Sequence, residues 1–411
     1  MTLAVIIATG RAAGPDPFPA AAVPVPSADG GVSLLTRLVR QLERLGAADH
    51  RVLTRPALAP PLRKDGHDPV ECEDTAADLR EIARLTLRAR TPVVLLPGDL
   101  VISDEQLARL VLDAPGRPAT AVTVRRLGAA ARPVRVDAAG RVVSAGSAFH
   151  RVSAPTADFI GPMCVGEQRT VQAAGIAENL AALLETPGAL PAPTALPVTP
   201  KAAFPAISPS ALTTWTTPRA VPPPQPEHTA TDEGEDDDAA DDYDALELML
   251  VGLVRAGVPV TAEAAVPELV CRRAASVEAA QAAVEAAESA DEDGVRLRAA
   301  VKRDDGWFAT YAVSSWSPLL VRTAAWFGIG PNAVTWASGA LAALAAFLFA
   351  GGEPHGMVTG AVLFYLAFVL DCVDGQLARY TRRHSAFGAW LDAVLDRAKE
   401  YAVYAGLAAG A

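Results

Sequence analysis

Apolar residues run without a break from Leu3 to Ala8, a length and composition that predict a short buried strand, and a stretch rich in glycine and proline follows. Leu34, Leu35, Leu38, Val39, Leu42 and Leu45 then recur at helical spacing. Strand, glycine loop and helix in that order open an α/β domain. A second such unit follows, with a helical pattern from Asp78 to Arg90 and a buried-strand run from Pro92 to Pro97 that ends in Gly98-Asp99. Ala121–Val124 and Pro133–Val136 read as further strands, and Leu246 to Ala300 returns to a helical pattern through Leu248, Leu250, Val251 and Val254 and the alanine-rich 274–290.

The pattern changes after Arg322. No charged residue occurs between Arg322 and Glu353, and Val334 to Ala350 is almost wholly apolar, which predicts a first membrane-spanning helix. Gly356 to Leu370 predicts a second, continued from Asp371 onward, and a third runs from about Ala386 to Ala411. Arg379, Arg382 and Arg383 cluster between the second and third, and Arg322 precedes the first, so the positive-inside tendency puts both ends on the cytoplasmic side. The predicted architecture is an N-terminal α/β (Rossmann-like) domain followed by an all-α transmembrane domain. Its boundaries fall at 1–186 for the α/β domain, 187–245 for a disordered Pro-rich and acidic linker, 246–299 for a helical segment that completes the first domain, and 300–411 for the membrane domain.

Composition alters this picture in three places. The chain has 411 residues, 51% of them hydrophobic, enough for both a soluble core and membrane spans. Its net charge of −11 comes mostly from the carboxylates between Asp232 and Asp244, a run that reads as a solvated spacer, and the near-neutral remainder offers no basic face for nucleic acid. Cys72, Cys164, Cys271 and Cys372 form no CxxC pair and read as free thiols. The N-terminus lacks the basic region and long apolar run of a signal peptide, so the expectation is a first domain that stays in the cytoplasm. Lysine occurs only at positions 64, 201, 302 and 399.

One stretch carries most of the chemistry: Asp371-Cys-Val-Asp374-Gly375-Gln-Leu-Ala378-Arg379, eight residues, then Gly388-x-x-x-Asp392-x-x-x-Asp396. On helices, Asp371 and Asp374 share one face and Asp392 and Asp396 another, and the short turn near Arg382–Ser385 allows the pairs to meet. Four carboxylates at the edge of an apolar segment need compensation, which a divalent cation or two supplies, and hard oxygen ligands favour Mg²⁺ or Mn²⁺. Two such ions would neutralise a pyrophosphate and hold the attacking and leaving oxygens. Gly375, Ala378 and Gly388 let a nucleotide approach the backbone closely, and Arg379 adds a fork of donors for phosphate or for a neighbouring carboxylate. Cys372 reads as packing and His384 as a solvated turn residue.

This pattern resembles the CDP-alcohol phosphotransferases (CDP-alcohol phosphatidyltransferases), over about residues 300–411. The resemblance implies that Asp371, Asp374 and Asp392 hold the metals, that Asp396 is a metal ligand or the base for the acceptor hydroxyl, and that Gly375, Ala378, Arg379 and Gly388 line the CDP site. Pro331-Asn332-Ala-Val-Thr335 is similar to the family's Pro-Asn-x-Val-Thr, which places Asn332 and Thr335 near the nucleotide. Family members have six transmembrane helices, and three are found here. The expectation is therefore a fragment of a longer protein, or a chain whose carboxylates are covered by a second copy in a homodimer or by another polypeptide.

The N-terminal domain is similar, more loosely, to sugar-phosphate nucleotidyltransferases. Ala8-Thr9-Gly10-Arg11-Ala-Ala-Gly14 stands where that family has its nucleotide loop, and Asp99 where it has a metal-binding aspartate, although Asp99 also suits a turn or a helix cap. The loop departs from the family's Gly-x-Gly-x-Arg, and no lysine precedes Lys64, whereas the family places a catalytic one soon after the loop. The expectation is an α/β fold that is a poor cytidylyltransferase. With Ala300 to Phe308 as the joint, the domain order resembles fused inositol-phosphate cytidylyltransferase and di-inositol-phosphate-phosphate synthase proteins. The implied activity is transfer of a phosphoalcohol from a CDP-alcohol donor to the hydroxyl of a lipid or inositol-phosphate acceptor, with release of CMP. A membrane-anchored nucleotide-binding or regulatory module with an incomplete transferase core, and a divalent-cation transporter, remain as alternatives.

Overall fold

The computed structural model describes residues 2–13, 18–26, 30–125, 132–186, 243–274, 276–301 and 317–411. Gly14 of the expected loop, residues 187–242 of the expected linker and residues 302–308 of the expected joint lie outside the described residues. The described chain forms two compact units. One comprises Met1–Ile102, Gln106–Val266 and Val270–Ala287, and the other is essentially Glu288–Ala411.

The first unit begins with β1 (Leu3–Ile7), the short pair β2 (Pro24–Val25) and β3 (Val32–Ser33), and α1 (Leu34–Arg44). There follow β4 (His50–Thr54), α2 (Ala59–Lys64), β5 (Val70–Glu71), α3 (Thr75–Arg88) and β6 (Val93–Pro97). Strands β1, β4, β5 and β6 are parallel, with Ile6 beside both Val52 and Leu96. Successive side chains of β1 point to opposite faces, and both faces are covered. Leu3, Val5 and Ile7 pack with Leu79 and Ile82 of α3, while Ala4 and Ile6 pack with Leu35, Leu38 and Leu42 of α1. A strand buried on both sides needs no polar alternation, which explains the unbroken apolar run. Ser33 caps α1 by accepting from Thr36 N at 3.3 Å, and Asp74 caps α3 by accepting from Ala77 N at 2.7 Å.

The sheet then becomes mixed. β7 (Leu100–Ile102), α4 (Asp104–Ala108), β8 (Ala119–Arg125), β9 (Pro133–Val136), β10 (Val142–Ala145), β11 (Ala157–Val165) and α5 (Thr170–Glu185) follow. β11 runs antiparallel to β6, β8 and β9, completing the path β10-β9-β11-β6-β1-β4-β5. The segment read from sequence as helical, 246–299, is only partly so. Between α6 (Ala245–Arg255) and the pair α7 (Val277–Glu288) and α8 (Glu292–Ala300) lie two strands, β12 (Val260–Ala264) and β13 (Cys271–Arg273). β12 joins the sheet parallel to β8, and β13 pairs with β7. The alanines and glutamate of β12 favour helix weakly, and five consecutive cross-strand partners override that preference.

The second unit is helical: α8, α9 (Ser317–Trp326), α10 (Pro331–Ala350), α11 (Pro354–Thr381) and α12 (Ala386–Gly410). Two of these, α10 and α11, are long and apolar enough to cross a membrane. At 1.5 Å per residue α10 is about 30 Å long, the thickness of a bilayer's hydrocarbon core, and α11 exceeds it by about 12 Å. Trp336, Phe347 and Val358 are exposed on their outer faces. Asp293 of α8 ties this end together, accepting from Tyr380 Oη at 2.5 Å, Arg322 Nη2 at 2.6 Å and Arg296 Nη2 at 2.8 Å. Burial opposes its charge, but these donors hold its carboxyl well below the usual carboxylate range.

Two predictions concern the first unit. Arg55 and Asp78 form a buried pair, 2.8 Å apart and with Asp78 1% exposed. Asp78→Ala strands the guanidinium, and a loss of about 3–5 kcal/mol in denaturant unfolding of the full chain is expected. A loss under about 1 kcal/mol would place the pair with ordinary surface bridges. Burial, and then the neighbouring Asp78, push the Cys72 thiol up to about 12, and burial does the same for Cys164. Both should stay unalkylated by iodoacetamide at mildly alkaline pH until the protein is unfolded, as read by mass spectrometry.

Candidate active site

The carboxylate motif is divided between two helices that share α10 as a neighbour. Asp371 and Asp374 lie one turn apart on α11. The helix ends at Arg382, whose left-handed backbone (φ 52°) closes it, with the Arg383 amide donating to Ala378 O at 3.1 Å. Three residues later Ser385 caps α12, accepting from Gly388 N at 2.9 Å. Gly388 allows the start of α12 to lie against α10, because a Cβ there would come within 2.7 Å of Asn332 Oδ1.

Asp371, Asp374 and Asp392 each turn one carboxylate oxygen toward a common point, all within 4.8 Å of one another. Asp374 is 5% exposed and accepts from Thr335 Oγ1 at 2.6 Å. Three hard, anionic oxygens so gathered suit Mg²⁺ or Mn²⁺. Asp396 stands outside this trio. Its Oδ1 lies 3.0 Å from Lys399 Nζ, which also bonds Asp371 Oδ1 and donates to Ser338 Oγ at 3.2 Å. Ser338 in turn donates to Ala367 O at 2.9 Å.

A cleft of about 310 Å³ opens beside the trio. It is lined by Asn332, Thr335, Asp374, Gly375, Ala378, Arg379, Gly388 and Asp392, together with Arg383 and His384. A Cβ on Gly375 would meet only the Arg379 guanidinium, at 3.6 Å, so the missing side chain widens the cleft. Arg379 is held by its Nε, which donates to Ala300 O at 2.6 Å. A second cleft, of about 440 Å³, is lined by Asp371, Asp396, Lys399, Arg397, Phe364 and Phe368. Asp371 and Asp396 thus border a different space from Asp374 and Asp392, a division that motif spacing does not reveal. His384, read from sequence as solvated, lines the first cleft, and Cys372 is half-buried among apolar neighbours.

Sequence reasoning missed Lys399 and Ser338. The available signal was a lysine, rare in this chain, one helical turn beyond Asp396.

In the first unit Asp99 occupies the turn between β6 and β7. Gly98 is required there, since a Cβ would lie 2.8 Å from the Ala8 Cβ. Both oxygens of Asp99 accept from Arg273 Nε, at 2.8 and 3.0 Å. Arg273 also bonds Asp244. Gly10 of the expected nucleotide loop lies against this pair, its Cβ position 3.8 Å from Arg273 Nη2 and from Asp99 Oδ2. Asp99 is therefore engaged by a guanidinium beside the loop.

Comparison with known proteins bears mainly on the second unit. Residues 329–410 match the sequence model of the CDP-alcohol phosphatidyltransferase family. Over 83 residues the chain is 42% identical to a bifunctional IPC transferase and DIPP synthase of Rubrobacter xylanophilus, covering 20% of this chain and 18% of that protein. It is 36% identical over 89 residues to an archaetidylinositol phosphate synthase of Pyrococcus horikoshii, covering 22% of this chain and 46% of the relative. The matches thus span less than half the length of these curated relatives. Among solved structures, the inositol-1-phosphate CTP transferase from T. maritima aligns at 13% identity and a TM-score of 0.39, over 70% of this chain and 94% of that one. The clefted carboxylate site falls inside residues 329–410, the segment that matches the CDP-alcohol phosphatidyltransferase model.

Proposed function

We propose that the second unit transfers a phosphoalcohol group from a CDP-alcohol to an acceptor hydroxyl and releases CMP. The observation that carries this reading is the convergence of Asp371, Asp374 and Asp392 beside a cleft lined by Asn332, Thr335, Gly375, Ala378, Arg379 and Gly388. The cleft takes the CDP moiety, with Arg379 and Arg383 turned to its phosphates. The trio holds Mg²⁺ or Mn²⁺, which when bound neutralises the donor pyrophosphate. The acceptor enters from the second cleft. Its hydroxyl oxygen bonds the phosphorus that carries the alcohol, the bond from that phosphorus to the CMP oxygen breaks, and Asp396 takes the hydroxyl proton.

Helices α10 and α11 cross the membrane, and α12 forms a third span. The positive-inside tendency of Arg379, Arg382 and Arg383 supports a site at the cytoplasmic surface. Asp396, 47% exposed, is covered in the working protein by a second copy of this chain or by another polypeptide. The acceptor is a lipid or an inositol phosphate. The first unit is a poor nucleotidyltransferase, because Arg273 already takes the charge of Asp99 that a metal would need. Pyrophosphate release from CTP and a sugar or inositol phosphate by the first unit would contradict that statement.

Asp→Asn at position 371, 374 or 392 should lower CMP release by about 10²-fold or more and weaken its dependence on Mg²⁺ or Mn²⁺. Unchanged rates in excess chelator would refute a metal-assisted transfer, and metal uptake into liposomes without CMP release would favour a transporter. Asp396→Asn should reduce turnover by roughly 10²-fold while leaving CDP-alcohol affinity, measured by calorimetry, close to that of the unaltered chain. Equal losses in both would make Asp396 a ligand of the donor complex rather than the base.

A further inference from the structure

Lys399 is the one cation whose ammonium reaches the carboxylate group among the described residues. It is 9% exposed, and its three N–H donors have three oxygens to meet: Asp371 Oδ1, Asp396 Oδ1 at 3.0 Å and Ser338 Oγ at 3.2 Å. A lysine at a surface usually trades partners with water. This one has no spare donor, and Ser338 is itself anchored to a backbone carbonyl of α11. The ammonium is a built-in position rather than a passing contact.

That position has a consequence for the metal. A second divalent ion serving the same reaction would sit about 3.5–4 Å from the first and would draw its ligands from Asp371 and Asp396. Those two carboxylates are the ones Lys399 bridges, whereas the three that converge without Asp396 can hold an ion of their own. An ammonium and a divalent cation cannot both occupy the space between Asp371 and Asp396. We propose that Lys399 is a positioning residue that supplies the second positive charge of the site, so that each chain binds one divalent ion where four carboxylates would otherwise bind two. The inference rests on reading the trio as a metal site. It also assigns Lys399 the task of holding Asp396 toward the second cleft, ready for the acceptor hydroxyl.

The test counts bound manganese by electron paramagnetic resonance on the full chain in detergent, with Mn²⁺ as the probe. The unaltered protein should saturate at one Mn²⁺ per chain, Lys399→Gln at two with the spin coupling of a close pair, and Lys399→Arg, which keeps the charge, at one. Two ions in the unaltered chain would overturn the proposal while leaving the transfer reaction intact, and so would a single ion in Lys399→Gln. No bound ion in any of the three proteins would remove the metal site itself and the proposal with it. Should Lys399→Gln fail to fold, the counts for the unaltered chain and Lys399→Arg still decide, since two ions in either overturns the assignment.

Discussion

A carboxylate withdrawn from water among apolar helices must find opposite charge or donors close by, and the second unit is organised around meeting that demand. Thr335 donates to Asp374, Lys399 bridges Asp371 and Asp396, and the oxygens of Asp371, Asp374 and Asp392 share a point suited to a divalent ion. α10 is central to this arrangement because it contributes Thr335 and Ser338 and packs on both helices that carry the aspartates. Substitutions on the exposed side of α10, such as at Trp336, change none of these partners. Those at Thr335 and Ser338 remove partners of Asp374 and of the Lys399 ammonium that pairs with Asp371 and Asp396.

The first unit solves a similar problem differently. Its buried charges are matched by arginines: Arg55 with Asp78, Arg273 with Asp99 and Asp244. A guanidinium is always charged and presents several donors in a fixed plane, so it can hold a buried carboxylate without a metal. Asp99, at the turn between β6 and β7, has the partner of a structural residue. The two units differ in the partner: guanidinium groups in the first, an ammonium and a hydroxyl in the second.

Much of this was legible in the sequence. The run Leu3–Ile7 and the helical spacing of Leu34 to Leu42 gave the opening of the α/β sheet, since residues buried on both faces or on one stripe leave a direct trace in the pattern. The aspartate spacing singled out Asp371, Asp374 and Asp392, whose oxygens converge, and grouped with them Asp396, which stands outside that trio. What was not legible depended on partners distant in the chain. β11 is interrupted by a register shift between Phe159 and Met163, and β12 reads Val-Thr-Ala-Glu-Ala, a composition that only its pairing with β8 makes extended. Lys399 belongs to no motif, and its role follows from where α10 and α11 put Ser338 and Asp371.

The eight residues between Arg379 and Gly388 act as a phase setting. They contain the left-handed Arg382 that ends one helix and the Ser385 whose side chain caps the next, and together these fix the rotational starting point of α12. Because each residue of a helix advances about 100° around its axis, lengthening or shortening this spacer by one would swing Asp392 away from Asp371 and Asp374 while leaving every motif residue in place. The spacer's length is therefore part of the site's chemistry, as much as the side chains it carries. It is a constraint on counting, separate from the contacts that Tyr380, Arg383 and Ser385 make.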